Sequence, residues 1–342
     1  MSSVVETSLK MTVNVNIYII PLKYDDMKDF VTSDDSGQEY AELLCDFMFK
    51  RLFGSEENKD VLIAFLNVML EDVDIVDVFF IPTEHLGETE DDRKAVFDIS
   101  CKCSDGRTFI IEMQKGHQKH FRDRALFYTS YPINEQGRIV RGKHDQMNEE
   151  RMEKGLPKLD FKWDFGLKPV IVVAILNFSF EHGDGWPDER YHSSYRLRED
   201  LSNDVMTESL RFVFMELGRF KKGLDELQTR HDKWMYAFCH IHELRQRPDV
   251  FHEKEFRRLF SLSKIIKFTP EEYKQYLLSL KHMSDYLNTI ETSHDKGLAE
   301  GMKKGREEGL NEAVKKMLAA GLPAEQIASI MMIPVEQIEA LK

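Results

Sequence analysis

The sequence predicts an α/β protein with elements in the order α-α-β-β-β-α-β, followed by a helical C-terminal half. Three observations carry that expectation: two segments with helix-period apolar residues, a set of β-branched and aromatic segments after them, and no strong strand signal beyond about Tyr195. The 342 residues, 42% apolar and 31% charged, allow roughly two domains with a sizeable core. Aromatic residues make up 11% and apolar residues are spread along the whole chain, which excludes a disordered or fibrous protein. No run approaches the ~18 apolar residues of a membrane span, and the most apolar one, 169–180, is only strand length, so no membrane partner is expected. The apolar run 13–22 contains Asn14 and Asn16 and lacks a small-residue cleavage site after it, unlike a secretion signal. Cys45, Cys101, Cys103 and Cys239 form no CxxC, which argues against a zinc site or a disulfide framework and points to a reducing cytoplasm.

Residues 1–37 end in the polar cluster Thr32-Ser33-Asp34-Asp35-Ser36-Gly37 and read as an N-terminal extension. Residues 38–190 read as the core, 191–290 as a helical accessory region and 291–342 as a tail. In the core, Leu43, Leu44, Phe47, Met48 and Leu52 give a helix over 38–52, and Val61, Leu62, Phe65, Leu66 and Met69 a second over 59–70. Residues 73–81 form a strand ending at Pro82, two strands flank Ser104-Asp105-Gly106, a helix covers about 118–131, and 170–178 is a buried strand. Residues 234–244, 253–260 and 271–287 are expected as accessory helices. In the tail, Gly297, Gly301, Gly305 and Gly309 recur every fourth residue, a helical spacing that costs about 1 kcal/mol per glycine relative to alanine. One such face lets another helix approach closely, so the tail is expected to support docking or homo-oligomerisation. Breaks at Gly321 and Pro334 divide residues 311–342 into short helices, loosely like a helix-turn-helix. With one basic side chain in 334–342, DNA reading there is the weaker expectation.

The hairpin 96–114 is the most informative stretch. A two-residue Asp105-Gly106 turn pairs positions summing to 211; a three-residue loop with left-handed Gly106 pairs positions summing to 210. A one-residue slip inverts every side chain, so the apolar pattern decides. Only the second register sorts Phe97, Ile99, Cys101, Phe109, Ile111 and Met113 onto one face. Asp98, Ser100, Lys102, Thr108, Glu112 and Gln114, with Ile110, fall on the other. Asp98 then stands opposite Glu112, about 4.5–5.5 Å apart at the β-carbons, where like charges are destabilising. A divalent cation would supply the missing positive charge, and oxygen-only donors favour Mg²⁺ or Mn²⁺ over zinc. The pairing alone is equally compatible with a solvated acidic face; the following helix and apolar strand favour coverage of both faces.

Asp98, thirteen intervening residues and Glu112-Met113-Gln114, in this element order, resemble the PD-(D/E)XK nuclease superfamily, and more narrowly its recombination-promoting nuclease / putative transposase family. Asp46-Phe47-Met48-Phe49-Lys50-Arg51-Leu52-Phe53-Gly54 is similar to that family's opening D-x-x-F-K-x-x-F-G helix, and Ile111-Glu112-Met113-Gln114 to its I-E-M-Q strand. Arg124 and Tyr128 stand where its next helix carries Arg and Tyr, and the glycine-periodic tail is also typical. The resemblance covers about residues 40–320. It implies a restriction-endonuclease-like core and metal-dependent hydrolysis of DNA phosphodiesters, in recombination or mobile-element activity. Asp98 and Glu112, with the Met113 carbonyl, would hold Mg²⁺ or Mn²⁺, whose bound water becomes the nucleophile. Asp46 stands either as a further ligand or water-positioner, or as an exposed helix acid paired with Lys50. Gln114 replaces the superfamily's usual lysine, and an amide orients a water or phosphate without supplying charge. Lys115 alternates to the other face, and Lys102 lies about 13 Å along the strand from Asp98.

Net charge is −13, yet residues 115–144 hold seven Lys/Arg against Asp123 and Glu135. Lys115, Lys119, Arg122 and Arg124 of this strip suit a DNA phosphate backbone, or else a solvated helix face. His117 and His120 read more simply as surface residues, Cys101 and Cys103 as core, and Trp163, Trp186 and Trp234 as packing. The acids are too close for a three-acid integrase-like site. Two rivals to an endonuclease are a catalytically weakened DNA-binding protein of the same fold and an interaction protein built on the tail.

Overall fold

The computed structural model of the chain describes residues 38–85 and 95–341; the expected extension 1–37 lies outside them. The first helix, α1 (Asp46–Phe53), has Asp46 in its first turn and Lys50 and Arg51 in its last, the charge order a helix dipole favours. It starts later than the apolar spacing predicts. Tyr40 pairs with Lys264 as a β-bridge and Ala41 N–H donates to the Ser263 carbonyl (2.8 Å), so tertiary pairing holds the preceding residues out of the helix. Helix α2 (Lys59–Met69) buries Val61, Leu62, Phe65, Leu66, Val68 and Met69.

The segment expected as one strand over 73–81 is strand only at β1 (Phe79–Phe80). Asn67 takes both main-chain groups of Ile75, its side-chain amide donating to the carbonyl and its oxygen accepting from the N–H, each at 2.8 Å. Those groups are then lost to a ladder. Next come β2 (Glu84–His85), β3 (Ala95–Val96), β4 (Ile99–Lys102) and β5 (Thr108–Gln114). Helix α3 (Phe121–Glu153) continues through Pro132, far beyond the expected end near Tyr131. The chain 156–168 runs back along it, tied by Leu159 N–H to Asn148 Oδ1 and Lys168 N–H to Gln136 Oε1, both 2.7 Å. Strands β6 (Val170–Leu176), β7 (His192–Arg196) and β8 (Leu210–Glu216) complete the sheet.

Its order is β1-β4-β5-β6-β8-β7. Strands β5, β6 and β8 are mutually parallel, and the other pairings in this sheet are antiparallel. The sheet therefore continues past residue 190, where helices alone were expected. Strand β8 pairs with β6 along its whole length, but Arg211 interrupts its apolar run; the guanidinium is bonded to Asp72.

Two layers cover the sheet. Helices α1, α2, α4 (Arg230–His240), α5 (Lys254–Ser263) and the start of α6 (Pro270–Ala319) build the larger core on one face. There Trp234 lies 5.2 Å from Phe65 and 5.1 Å from Phe256, ring centre to ring centre. On the other face α3 contributes Phe121 and Ala125 to a smaller core with Ile110, Val172 and Phe214. Helix α6 is 50 residues long, and α7 (Ala324–Met331) and α8 (Val335–Glu339) fold back to bury Val314, Ala324, Ile327 and Ile338. Gly321, at φ +84°, makes the first expected break. A β-carbon at Gly297, Gly301, Gly305 or Gly309 would meet nothing within 4 Å. Among the described residues no helix is long and apolar enough to cross a membrane.

The β4–β5 ladder pairs Ile99 with Ile111 and Cys101 with Phe109, the register summing to 210, around Gly106 at φ +93°. Ile99, Cys101, Phe109, Ile111 and Met113 enter the larger core as the pattern predicts. Phe97 does not. The chain bends at Asp98, Phe97 N–H donates to the Thr83 carbonyl (2.9 Å), and the ring packs at 5.0 Å from Tyr128 in the smaller core.

His192 on β7 and His231 on α4 face each other with ring centres 5.0 Å apart, and the Nε2 of each is buried without a partner. Burial, then the opposing His231, depresses His192 to about 4; burial also lowers His231. Between about pH 6.5 and 4 the unfolded chain therefore binds protons at these histidines that the folded chain excludes, and their contribution to stability falls with acid. Because the raised carboxylates of Asp98 and Glu112 act in the opposite sense over the same window, the effect is read as a difference: the urea-unfolding free energy of wild type minus that of His192→Gln should fall by on the order of 3 kcal/mol between about pH 6.5 and 4.

Candidate active site

Strand β5 alternates its side chains between the two layers, and Ile110 marks the α3 face. Glu112 and Gln114 share that face, and Glu112 is only 3% exposed. In the hairpin, Cys103 N–H donates to the Arg107 carbonyl (2.9 Å), so odd-numbered pairs are the hydrogen-bonded ones. The next such pair beyond Ile99 and Ile111 would join Met113 N–H to the Phe97 carbonyl. Because the chain bends there, Met113 N–H instead donates to Asp98 Oδ2 (2.8 Å), and Asp98 N–H donates to Glu112 Oε1 (3.3 Å). The Asp98 carboxylate thus occupies a ladder position in the plane of the sheet, next to Glu112.

Both acids are shifted upward from the ordinary carboxylate range, Glu112 to about 8. For Asp98 the first cause is burial, opposed by the Met113 N–H; for Glu112 it is burial and then the charge of Asp98. Three cations oppose this: Lys50 and Lys115 act on Asp98, and Arg124 acts on Glu112. A hydrogen bond from Gln114 also favours the Glu112 carboxylate.

Asp46 and Lys115 form an ion pair at 2.8 Å. Lys115 follows β5 on the alternation that leads away from Glu112, as the sequence implied, and Asp46 pairs with it there rather than with Lys50. The charge of Asp46 also reaches Asp98 and raises it, while among the described residues no group of three His, Cys, Asp or Glu side chains is arranged to hold a metal ion. Lys102 lies at the turn end of the hairpin, paired with Thr108.

From the other side α3 lowers its first turns over the acids. Arg124 is bonded to Gln118, with its guanidinium 5.2 Å from the Phe121 ring centre and 5.5 Å from that of Tyr128. Burial, then Glu112, raises the Tyr128 hydroxyl. Arg122 lies over Phe180 at 4.2 Å, and Lys119 is exposed at the mouth of the helix. His117 packs on Phe178 at 5.2 Å, while exposed His120 pairs with Asp123 at 3.3 Å.

Two parts of this surround had no sequence signal. Gly116, just past the strand, is covered by α6: a β-carbon there would meet Ile290 Cδ1 at 2.5 Å and Tyr286 at 3.0 Å. Glu216, at the same carboxyl end of the sheet as Gln114 and Leu176, is fully buried. It accepts from Phe180 N–H (2.8 Å), His182 Nε2 (2.8 Å) and Arg219 Nε (3.2 Å), which fixes the loop after β6.

A profile of the PD-(D/E)XK nuclease family transposases matches residues 43–293, a stretch that contains both acids, the whole sheet and the first part of α6. Comparison with curated proteins and with solved structures found no match. With a mixed sheet flanked by helices, consistent with a restriction-endonuclease-like fold, and two acids meeting at the bend of its hairpin, the chain belongs to the PD-(D/E)XK nuclease family of transposases.

Proposed function

We propose that the protein is a divalent-metal-dependent DNA endonuclease acting in recombination or mobile-element activity. The observation that carries this reading is the close approach of half-buried Asp98 to buried Glu112, where the charge of Asp98 makes Glu112 harder to ionise. Like-charged groups so placed fit a hard cation, because all the donors are oxygens. Asp98, Glu112 and the Met113 carbonyl would hold it, and Mg²⁺ or Mn²⁺ bound there would neutralise the acids and activate a water.

The chain's own residues supply the rest. The Met113 N–H keeps Asp98 oriented; Gln114 would orient a water or phosphate oxygen, and Lys115, Lys119, Arg122 and Arg124 would contact a DNA backbone. The exposed glycine face of α6 supports self-association, since a second helix could approach it closely. Free cysteines throughout suit a reducing cytoplasm.

The neutral Gln114 favours one rival, a DNA-binding protein of weakened catalysis. Nicking of supercoiled plasmid separates the two. Mg²⁺ or Mn²⁺ should start it, EDTA should stop it, and Asp98→Ala should lower it by about 1000-fold or more while the circular dichroism spectrum is kept. DNA binding without any metal-dependent cleavage by the wild type would decide for the rival.

A further inference from the structure

Hydrolysis forms a bond from the water oxygen to phosphorus and breaks the ester P–O bond. A water proton passes to solvent, and the leaving oxygen takes up one. Negative charge builds on the non-bridging oxygens as this happens, and a positive donor fixed in advance lowers the barrier. Strand β5 brings no such donor to the α3 face, since Gln114 is neutral. Each nearby cation can be weighed. Lys115 is neutralised by Asp46 at 2.8 Å and lies on the opposite alternation. Lys50 is exposed on α1, and its charge acts on Asp98.

Arg124 differs from both. It lies on the face of Glu112, Gln118 holds one end of its guanidinium, and the Phe121 and Tyr128 rings confine the plane. Its Nε is buried with no partner, and no carboxylate is paired with it within ion-pair distance among the described residues. A guanidinium fork fixed at one end and without a counter-carboxylate is suited to a phosphate.

We propose that Arg124 is a catalytic residue that donates to a non-bridging oxygen of the scissile phosphate, supplying from α3 the positive charge that Gln114 lacks. This rests on the nuclease reading above.

The test compares wild type, Arg124→Gln, Arg124→Lys and the double variant Gln114→Lys/Arg124→Gln on supercoiled plasmid with Mg²⁺. Arg124→Gln should cut about 100-fold more slowly or worse, with a thermal midpoint within about 3 °C of wild type. Adding Gln114→Lys should restore about tenfold or more, a recovery that a packing role for Arg124 would not give. In EDTA, binding of a duplex oligonucleotide should lose about 0.9 from the slope of log affinity against log salt in Arg124→Gln, as for one phosphate contact. Arg124→Lys keeps the charge, and should retain more activity and more of the salt slope than Arg124→Gln; Arg124→Met replaces Arg124→Gln in both comparisons if the latter does not fold.

Cleavage by Arg124→Gln within about threefold of wild type, an unchanged salt slope, or no rescue by Gln114→Lys would each overturn the assignment. If wild type itself leaves plasmid intact with both Mg²⁺ and Mn²⁺, the nuclease reading fails and this assignment goes with it. A wild type that cuts beside an equally active Arg124→Gln removes only the role of Arg124.

Discussion

Glu112→Gln should abolish cleavage and, in metal-free buffer at pH 8, make the protein more stable than wild type. In the wild type both acids resist ionisation, Glu112 through burial and then the charge of Asp98, and half-buried Asp98 through burial and the charge of Asp46 against the Met113 N–H that favours its carboxylate. Their folded-state pKa values lie above the unfolded ones. The folded chain therefore holds protons that the unfolded chain has released, and stability falls as pH rises above about 4.3. The amide introduced by Glu112→Gln would keep an oxygen to accept from Asp98 N–H while removing one of the two charges. The stability difference should be a few kcal/mol at pH 8 and shrink toward pH 4. Mn²⁺ should raise the wild-type melting temperature at pH 8 by mass action, and raise that of Glu112→Gln far less. Equal stability of the two proteins across this pH range would contradict the buried pair.

Glu216→Ala should cost about 3–5 kcal/mol, measured by urea unfolding. Removing this fully buried carboxylate strands three donors, among them the Arg219 guanidinium, which also donates to the Phe180 carbonyl at 3.0 Å. A buried cation left without its counter-charge is the expensive part. Glu308→Ala makes the contrast: its partner Lys304 is 3.7 Å away, the side chains are 68% and 78% exposed, and the change should stay within about 0.5 kcal/mol.

The hairpin was legible because a period-two pattern leaves only one register in which Ile99, Cys101, Phe109, Ile111 and Met113 share a face. The helices α1 and α2 and the strand β6 were legible for the same kind of reason, a clean period or a continuous apolar run. Strand β8 was not, because Arg211 breaks its pattern and finds its counter-charge at Asp72, 139 residues earlier in the chain. The length of α3 was hidden by Pro132, and the loss of strand at 73–78 depends on a side chain of α2. At the site, the opposition of Asp98 and Glu112 could be read, but the bend that turns Phe97 to the other layer could not. Its cause is a main-chain bond to Thr83, which leaves no mark on composition.

That bend has a consequence for how sequence change can act near the acids. The group that orients Asp98 is the amide hydrogen of residue 113, which nineteen of the twenty amino acids provide equally and proline alone withholds. Side-chain identity at 113 is thus answerable only to the apolar layer in which Met113 is buried. Drift at this position can remodel the protein's interior without disturbing the aim of the neighbouring carboxylate.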